Sequence, residues 1–282
     1  MGDNLSIDET AYTKGELYTI VTNKSAKGKK GSIVAMIEGV KSETIIKVLK
    51  QLPKAQRERV KEVTLDMAGN MGKIVRESFP KAKKVIDRFH VQKLASEAVQ
   101  ELRIKHRWTA IDAENLALEE NKEKKKSKEK EKKAIIPEYR NGDSPKQLLA
   151  RSRFLLFKND TKWTDKQRLR SEVLFESYPD IEKAYLFAQK LSWIYESSTN
   201  KTIARTRMAK WIEVVRQSEF KSFNTISNTI NSHYSNILNF FDNRSTNASA
   251  ESFNAKIKAF RAQLRGVVDI EFFLFRLQKL YA

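Results

Sequence analysis

The sequence predicts an α/β protein: a mixed five-stranded sheet with flanking helices, plus a large all-α insertion. Three observations predict it. Residues 61–93 (KEVTLDMAGNMGKIVRESFPKAKKVIDRFHVQK) read as strand, helix, strand. The first forty residues hold three β-rich runs separated by polar turns. Residues 144–241 carry helix signals throughout and few strand signals.

Taken in order, Leu5 to Ala11 is a first strand, with Leu5 and Ile7 alternating against Ser6 and Asp8. Lys14-Gly15 makes a turn and Leu17 to Val21 returns as a second strand. After a Gly- and Lys-rich loop at Asn23 to Gly31, Ser32 to Val40 completes an antiparallel meander. Ser42 is expected to cap a helix whose apolar face is Ile45, Ile46, Val48, Leu49 and Leu52, stopping at Pro53. Val63, Thr64 and Leu65 are β-formers that end at Asp66, and Ala68-Gly69-Asn70 breaks the run. Met71, Ile74, Val75, Ser78 and Phe79 then recur at helical spacing until Pro80, and Lys83 to Ile86 is another strand. Two strands joined through one helix are most simply parallel, with a right-handed crossover. Both then end on one sheet edge, where ligands of open α/β sheets bind, and Asp66, Asp87 and His90 sit there. The order β-β-β-α-β-α-β is that of ribonuclease-H-like folds.

From Phe89 to about Lys133 the pattern is long and helical, ending in a run with eight Lys and three Glu between Lys122 and Lys133. That run reads as a solvated helix or flexible arm, or as an arm that contacts DNA. Ser144-Pro145, Thr164 and Asp180 are expected to open three helices, with a fourth over Thr202 to Gln217 and a fifth over Ser222 to Phe241. Trp163, Trp193 and Trp211 are read as core packing, with base stacking as the other reading. The expected division is 1–95 for the first part of the core, 96–243 for the helical insertion and 244–282 for C-terminal helices that complete the core.

Those last residues (NRSTNASAESFNAKIKAFRAQLRGVVDIEFFLFRL) offer Asn247 or Ser249 as the cap of a helix beginning near Ala250. Glu251, Asn254, Lys258 and Arg261 share one stripe of it, and Phe253, Ile257, Phe260 and Leu264 the adjoining apolar stripe. Gly266 ends it, and Asp269 to Leu280 forms another helix.

With 54 Lys+Arg against 35 Asp+Glu, the net charge is +19, and nucleic acid is the first candidate partner. Cysteine is absent, which excludes disulfides, zinc ribbons and thiolate catalysis. No run approaches the ~18 apolar residues of a membrane span, and no apolar signal core is present. A cytoplasmic, nucleoid-associated protein without a membrane partner is expected.

Three carboxylates could carry chemistry. In a ribonuclease-H-like sheet the first and fourth strands are neighbours, so Asp8 and Asp66 could share a metal, with Glu251 brought in on a late helix. Two-metal phosphoryl transfer requires hard oxygen ligands of this kind. Each acid has a plainer reading: Asp66 as a turn residue, and Glu251 as a partner of its helix dipole. Asp8, inside a strand, is harder to explain structurally.

The segments IDETAYTKGELYTIV, VTLDMAGNM, VIDRFHVQKLASEAV and STNASAESFNAKIKAFRAQLRG resemble the bacterial insertion-sequence transposases of the DDE type, ISL branch. The likeness covers nearly the whole chain. It implies that Asp8, Asp66 and Glu251 are the three metal-binding catalytic acids, holding two Mg²⁺ ions for which Mn²⁺ can substitute. It implies DNA cleavage at element ends and transfer of the freed 3′-hydroxyl to a target duplex, by a homo-oligomer assembled on DNA. Asp87 and His90 match the Asp-x-x-His signature that follows the second acid, with His90 at the scissile phosphate or in support of the metal site. Asn254, Lys256, Lys258, Arg261 and Arg265 follow the last acid and are candidate DNA contacts. One departure is visible: family members carry a zinc-binding, helix-turn-helix region before the first Asp, whereas seven residues precede Asp8 here. The chain therefore reads as a catalytic core. Two alternatives stay open, a structure-selective nuclease or resolvase on the same fold, and a truncated DNA-binding protein without catalysis.

Overall fold

The computed structural model describes residues 1–13, 16–126, 137–218, 220–263 and 269–282. Its sheet is built on β1 (Asn4–Thr13), which pairs antiparallel with β2 (Glu16–Asn23) and parallel with β4 (Glu62–Leu65). β3 (Ile33–Glu38) lies outside β2, and β5 (Lys83–Ile86) pairs parallel with β4. The strand order is therefore β3-β2-β1-β4-β5, a mixed five-stranded sheet of the ribonuclease-H-like kind. The turn expected at Lys14-Gly15 lies outside the described residues.

The pleat explains which side chains do what. Registers Ser6↔Thr64 and Thr64↔Val85 put Ser6, Asp8, Thr64 and Val85 on one face, with Thr22 and Ile20 opposite Ser6 and Asp8 on β2. The other face carries Leu5, Ile7, Val63, Leu65 and Ile86, all buried. The apolar sides of α1 (Ser42–Leu49) and α3 (Gly69–Ser78) are buried as well, through Ile45, Ile46, Leu49, Met71, Ile74 and Val75. Ser42 is not the cap of α1. Lys41 occupies that position, and the Ser42 hydroxyl donates to Glu43 instead. The helix also stops at Leu49, and Pro53 starts a separate short helix, α2 (Lys54–Glu58), that the sequence reading did not foresee.

The chain forms two compact units, Met1–Val91, Ser198–Thr206 and Thr229–Ala282 in one, Gln92–Ser197 and Arg207–Asn228 in the other. Residues 198–206 and 229–243, read from the sequence with the insertion, thus cluster with the sheet. The second unit is helical. α4 (Arg88–Lys126) is 39 residues long and runs into the Lys-rich segment, most of which lies outside the described residues. Ser144 and Thr164 do cap α5 (Pro145–Arg151) and α6 (Asp165–Ser177), each in a capping box closed by Gln147 or Gln167. Asp180 is not a cap. α7 (Pro179–Ser197) begins one residue earlier, and Asp180 accepts from His106 Nε2 at 2.6 Å. α8 (Lys201–Gln217) is as expected, but the single helix read over 222–241 is three: α9 (Lys221–Ser232), α10 (Tyr234–Leu238) and α11 (Phe240–Asn243).

Of Trp163, Trp193 and Trp211, two pack inward. Trp211 is 3% exposed, and Trp163 stacks on Tyr185 at 5.4 Å while its Nε1 donates to Leu155. Trp193 does not. It is 41% exposed, with Lys190 Nζ 3.9 Å and the Arg207 guanidinium 4.4 Å from its ring centre, because cations satisfy an exposed indole face.

Candidate active site

The carboxyl ends of β4 and β5 deliver Asp66 and Asp87 directly, each as the first residue beyond its strand. Asp8 stands on β1 beside them. His90 is the third residue of α4, and Glu251 lies in the first turn of α12 (Ala248–Gln263). α12 is held over the face of Asp8 by apolar burial: Phe253 and Ile257 pack with Tyr18 and Ile20 of β2 and with Phe273 and Leu277 of α13 (Ile270–Tyr281). Each such buried side chain contributes roughly 1.5–3 kcal/mol. The polar anchors are Asn247, whose Oδ1 accepts from the Ser6 hydroxyl, and Asn254, whose Nδ2 donates to Asp8 Oδ2 at 2.9 Å. Asp269 caps α13, accepting from Phe272 N.

The acids sense one another. Burial pushes the Asp8 carboxyl above its ordinary value; the Glu9 N–H, the His90 ring and Asn254 pull it down, while the Asp66 charge pushes it up again. Burial likewise raises Glu251, aided by the negative charges of Asp87 and Asp8 and opposed by His90. Asp8 thus lies within range of the charges of Asp66 and His90, and Glu251 within range of those of Asp8, Asp87 and His90. Their side chains are nonetheless committed locally. Asp8 Oδ1 accepts from Glu9 N and Asp66 Oδ1 from Ala68 N, both at 2.9 Å, and Asp87 Oδ1 accepts from Phe89 N at 3.3 Å. Among the described residues no three His, Asp or Glu side chains converge closely enough to enclose a metal ion. The donors are carboxylate oxygens, which suit a hard divalent cation, and the like charges of Asp8, Asp66, Asp87 and Glu251 are only partly offset by His90 and Lys24.

Beneath the acids lies a buried polar layer that sequence reading missed. Lys24, in the turn after β2, donates to Thr64 Oγ1 at 2.7 Å and pairs with Glu62 at 3.5 Å. Burial lowers its amine, while the charges of Glu62 and Asp87 act the other way. Asp87 is 1% exposed and its Oδ2 has no hydrogen-bond partner. In sequence Lys24 was one lysine of a Lys-rich loop; nothing local marked it as buried.

The expected DNA contacts separate into kinds. Asn254 is 7% exposed and faces Asp8, with its Oδ1 buried and unpaired. Lys256 donates to the carbonyl of Gly28, whose φ of +73° turns the loop toward α12, and also lies 5.1 Å from the Tyr281 ring centre. Lys258 is exposed and Arg261 half-buried, and among the described residues neither has an ion-pair partner. Arg265, Leu264 and Gly266 lie outside the described residues.

A family model described as "Transposase", for DDE transposases of the ISL3 type, matches residues 5–277. The chain belongs to the ISL3 family of DDE transposases. Among curated proteins it is similar to the transposase for insertion sequence element IS1001 of Bordetella parapertussis, 23% identical over 278 residues, covering 97% of this chain and 60% of that protein. It is also similar to the transposase for insertion sequence element IS1557 of Mycobacterium tuberculosis, 24% identical over 255 residues, covering 90% of this chain and 54% of that protein. The chain thus spans a little over half the length of these relatives. Comparison with solved structures gives no significant match. No helix among the described residues is long and apolar enough to cross a membrane.

Proposed function

We propose that this ISL3-family chain is the catalytic core of a DNA transposase, cutting DNA at insertion-sequence ends and joining the 3′-hydroxyl to target DNA. The observation that carries the reading is that Asp8 and Glu251, on separate elements, feel each other's negative charge, that Asp66 also acts on Asp8, and that burial disfavours the ionised forms of Asp8 and Glu251. Asp8, Asp66 and Glu251 would hold two Mg²⁺ ions or Mn²⁺ in their place. When bound, such ions supply an activated oxygen nucleophile and stabilise the leaving oxygen.

The remaining roles belong to the protein's own groups. Asn254 orients the Asp8 carboxylate by donating to Oδ2. His90 tempers the charge of both Asp8 and Glu251, which keeps two like-charged acids on one sheet end. Lys258 and Arg261, without ion-pair partners among the described residues and on the same helix as Glu251, would contact phosphates, with Lys256 and Arg265 as further contacts. A homo-oligomer on DNA is part of the proposal, as is location at the nucleoid.

The experiment is nicking of a labelled duplex in Mn²⁺ or Mg²⁺ by the chain and by Asp66→Asn. The variant should lose metal-dependent nicking and keep DNA binding. Nicking retained by Asp66→Asn would overturn the assignment. Products joined to a second duplex separate a transposase from a nuclease of the same fold.

A further inference from the structure

A cleft of about 210 Å³, with Asp66 in its lining, opens within the sheet unit. Asp66 forms its rim, Gly69, Gly72, Lys73 and Arg76 of α3 one wall, and Lys84, His233 and Asn236 the other. The second wall is fixed by α10, which packs on β5, and by Asn239 Nδ2, which donates to the Lys84 carbonyl at 2.8 Å.

The charges of this cleft are unbalanced. Lys73 is bound to Glu43 at 2.6 Å, and its own charge lies close enough to Arg76 to be felt there. Arg76 and Lys84 have no ion-pair partner among the described residues. Arg76 is exposed, and Lys84 and His233 are half-buried, so all three keep donors available to a ligand in the cleft. The α3 wall is bare: no heavy atom lies within 4 Å of where a Cβ on Gly69 or Gly72 would point. A compact anion can therefore approach backbone as well as cations.

We infer that this cleft binds a phosphodiester of the substrate DNA, next to the one acted on at Asp66. The inference rests on the proposed transposase reading for the identity of the anion. Its physical basis is separate: two unpaired cations and a histidine around an open cleft that shares a residue with the acid cluster. A guanidinium and an ammonium on opposite walls suit an oxyanion held between them. Successive phosphates follow one another closely along a strand, so a strand reaching Asp66 brings a neighbouring phosphate to the cleft.

The test is binding, measured without divalent metal, of a labelled duplex to the 282-residue chain over a range of KCl concentrations. One phosphate contact contributes a slope of about −0.9 in log K against log salt. Arg76→Gln/Lys84→Gln should make the slope shallower by about one and weaken binding roughly 8-fold at 0.1 M salt. The charge-matched control Lys41→Gln/Lys47→Gln, exposed at the cap and within α1, should leave the slope unchanged. None of the four positions is buried, and an unchanged circular dichroism spectrum and melting temperature verify the folds. A wild-type slope in the cleft variant, or an equal change in the control, overturns the inference. So does a wild-type slope accompanied by Arg76-dependent protection by inorganic phosphate, which would mark a site for free phosphate. Failure here is distinct from failure of the transposase reading, which turns on nicking by Asp66→Asn and not on the salt slope.

Discussion

Removing the Lys24 side-chain charge tests the buried layer beneath the acids. Its Nζ lies 3.5 Å from Glu62, with side-chain exposures of 14% and 6%. At an effective dielectric of ~20 that separation corresponds to about 5 kcal/mol of gross attraction. Little of this is net stabilisation, because burial lowers the Lys24 amine despite two acidic neighbours. The pair therefore matters most when broken. Lys24→Met leaves Glu62, 4% exposed, without its cation, and takes the donor from Thr64 Oγ1. Breaking a buried pair in this way costs roughly 3–5 kcal/mol. With a urea m-value near 3 kcal/mol/M, the unfolding midpoint of the sheet unit should fall by roughly 1–2 M. Glu62→Gln in the Lys24→Met background should recover about half of the loss, since an amide tolerates the site better than an unpaired carboxylate. Chemical unfolding of the two single variants and the double variant supplies the cycle. A midpoint shift below ~0.3 M for Lys24→Met, or strictly additive losses in the double variant, would refute the argument that the charges depend on each other.

Two further outcomes are expected. Asp8→Asn should raise the melting temperature of the metal-free protein at pH 7, because burial raises the Asp8 carboxyl and its ionised form opposes folding. The sign is fixed by linkage: the raised carboxyl favours folding below 3.8 and loses that contribution as pH climbs through its folded value, so the gap between Asp8→Asn and wild type should widen with pH and close in acid. Thermal scans at pH 4 and pH 7 check it, and a pH-independent gap would contradict it. In the helical unit, Trp211→Ala should cost roughly 3–5 kcal/mol as a buried indole, whereas Trp193→Ala, losing two cation–π contacts on an exposed ring, should cost about 1–2 kcal/mol. Equal losses in urea unfolding would contradict the assignment of Trp193 to the surface.

What the sequence made legible, and what it hid, follow from the range of the forces involved. The strands and their order were legible because alternation and β-branching are local, and because the parallel β4–β5 crossover leaves few topologies. Ser144 and Thr164 were legible as caps for the same reason, since a capping box is closed within four residues. Asp180 looked the same locally. Its carboxylate, however, meets His106, 74 positions away, and Pro179, suited to a first helical turn, starts the helix earlier. The break-up of 222–241 into α9, α10 and α11 was hidden because every residue there tolerates a helix, and packing of α10 on β5 decides where it bends.

The site divides along the same line. Asp8, Asp66 and Glu251 could be nominated because acids at a strand centre, a strand end and a helix start are chemically conspicuous. The groups that control them are not. Asn254 appeared as one polar residue in a stripe shared with Lys258 and Arg261, yet it is buried against Asp8 while its neighbours in that stripe reach solvent. The difference arises because Phe253 and Ile257 fix the roll of α12 on the sheet, and residue 254, between them, turns inward with them. A stripe drawn at three- and four-residue spacing gives the angular order of side chains but not the rotation of the helix against its support. That rotation is set by apolar contacts from β2 and α13, more than two hundred residues away or beyond the stripe's own end. Chemical type therefore nominates the acids, and long-range packing decides which of their neighbours serve them.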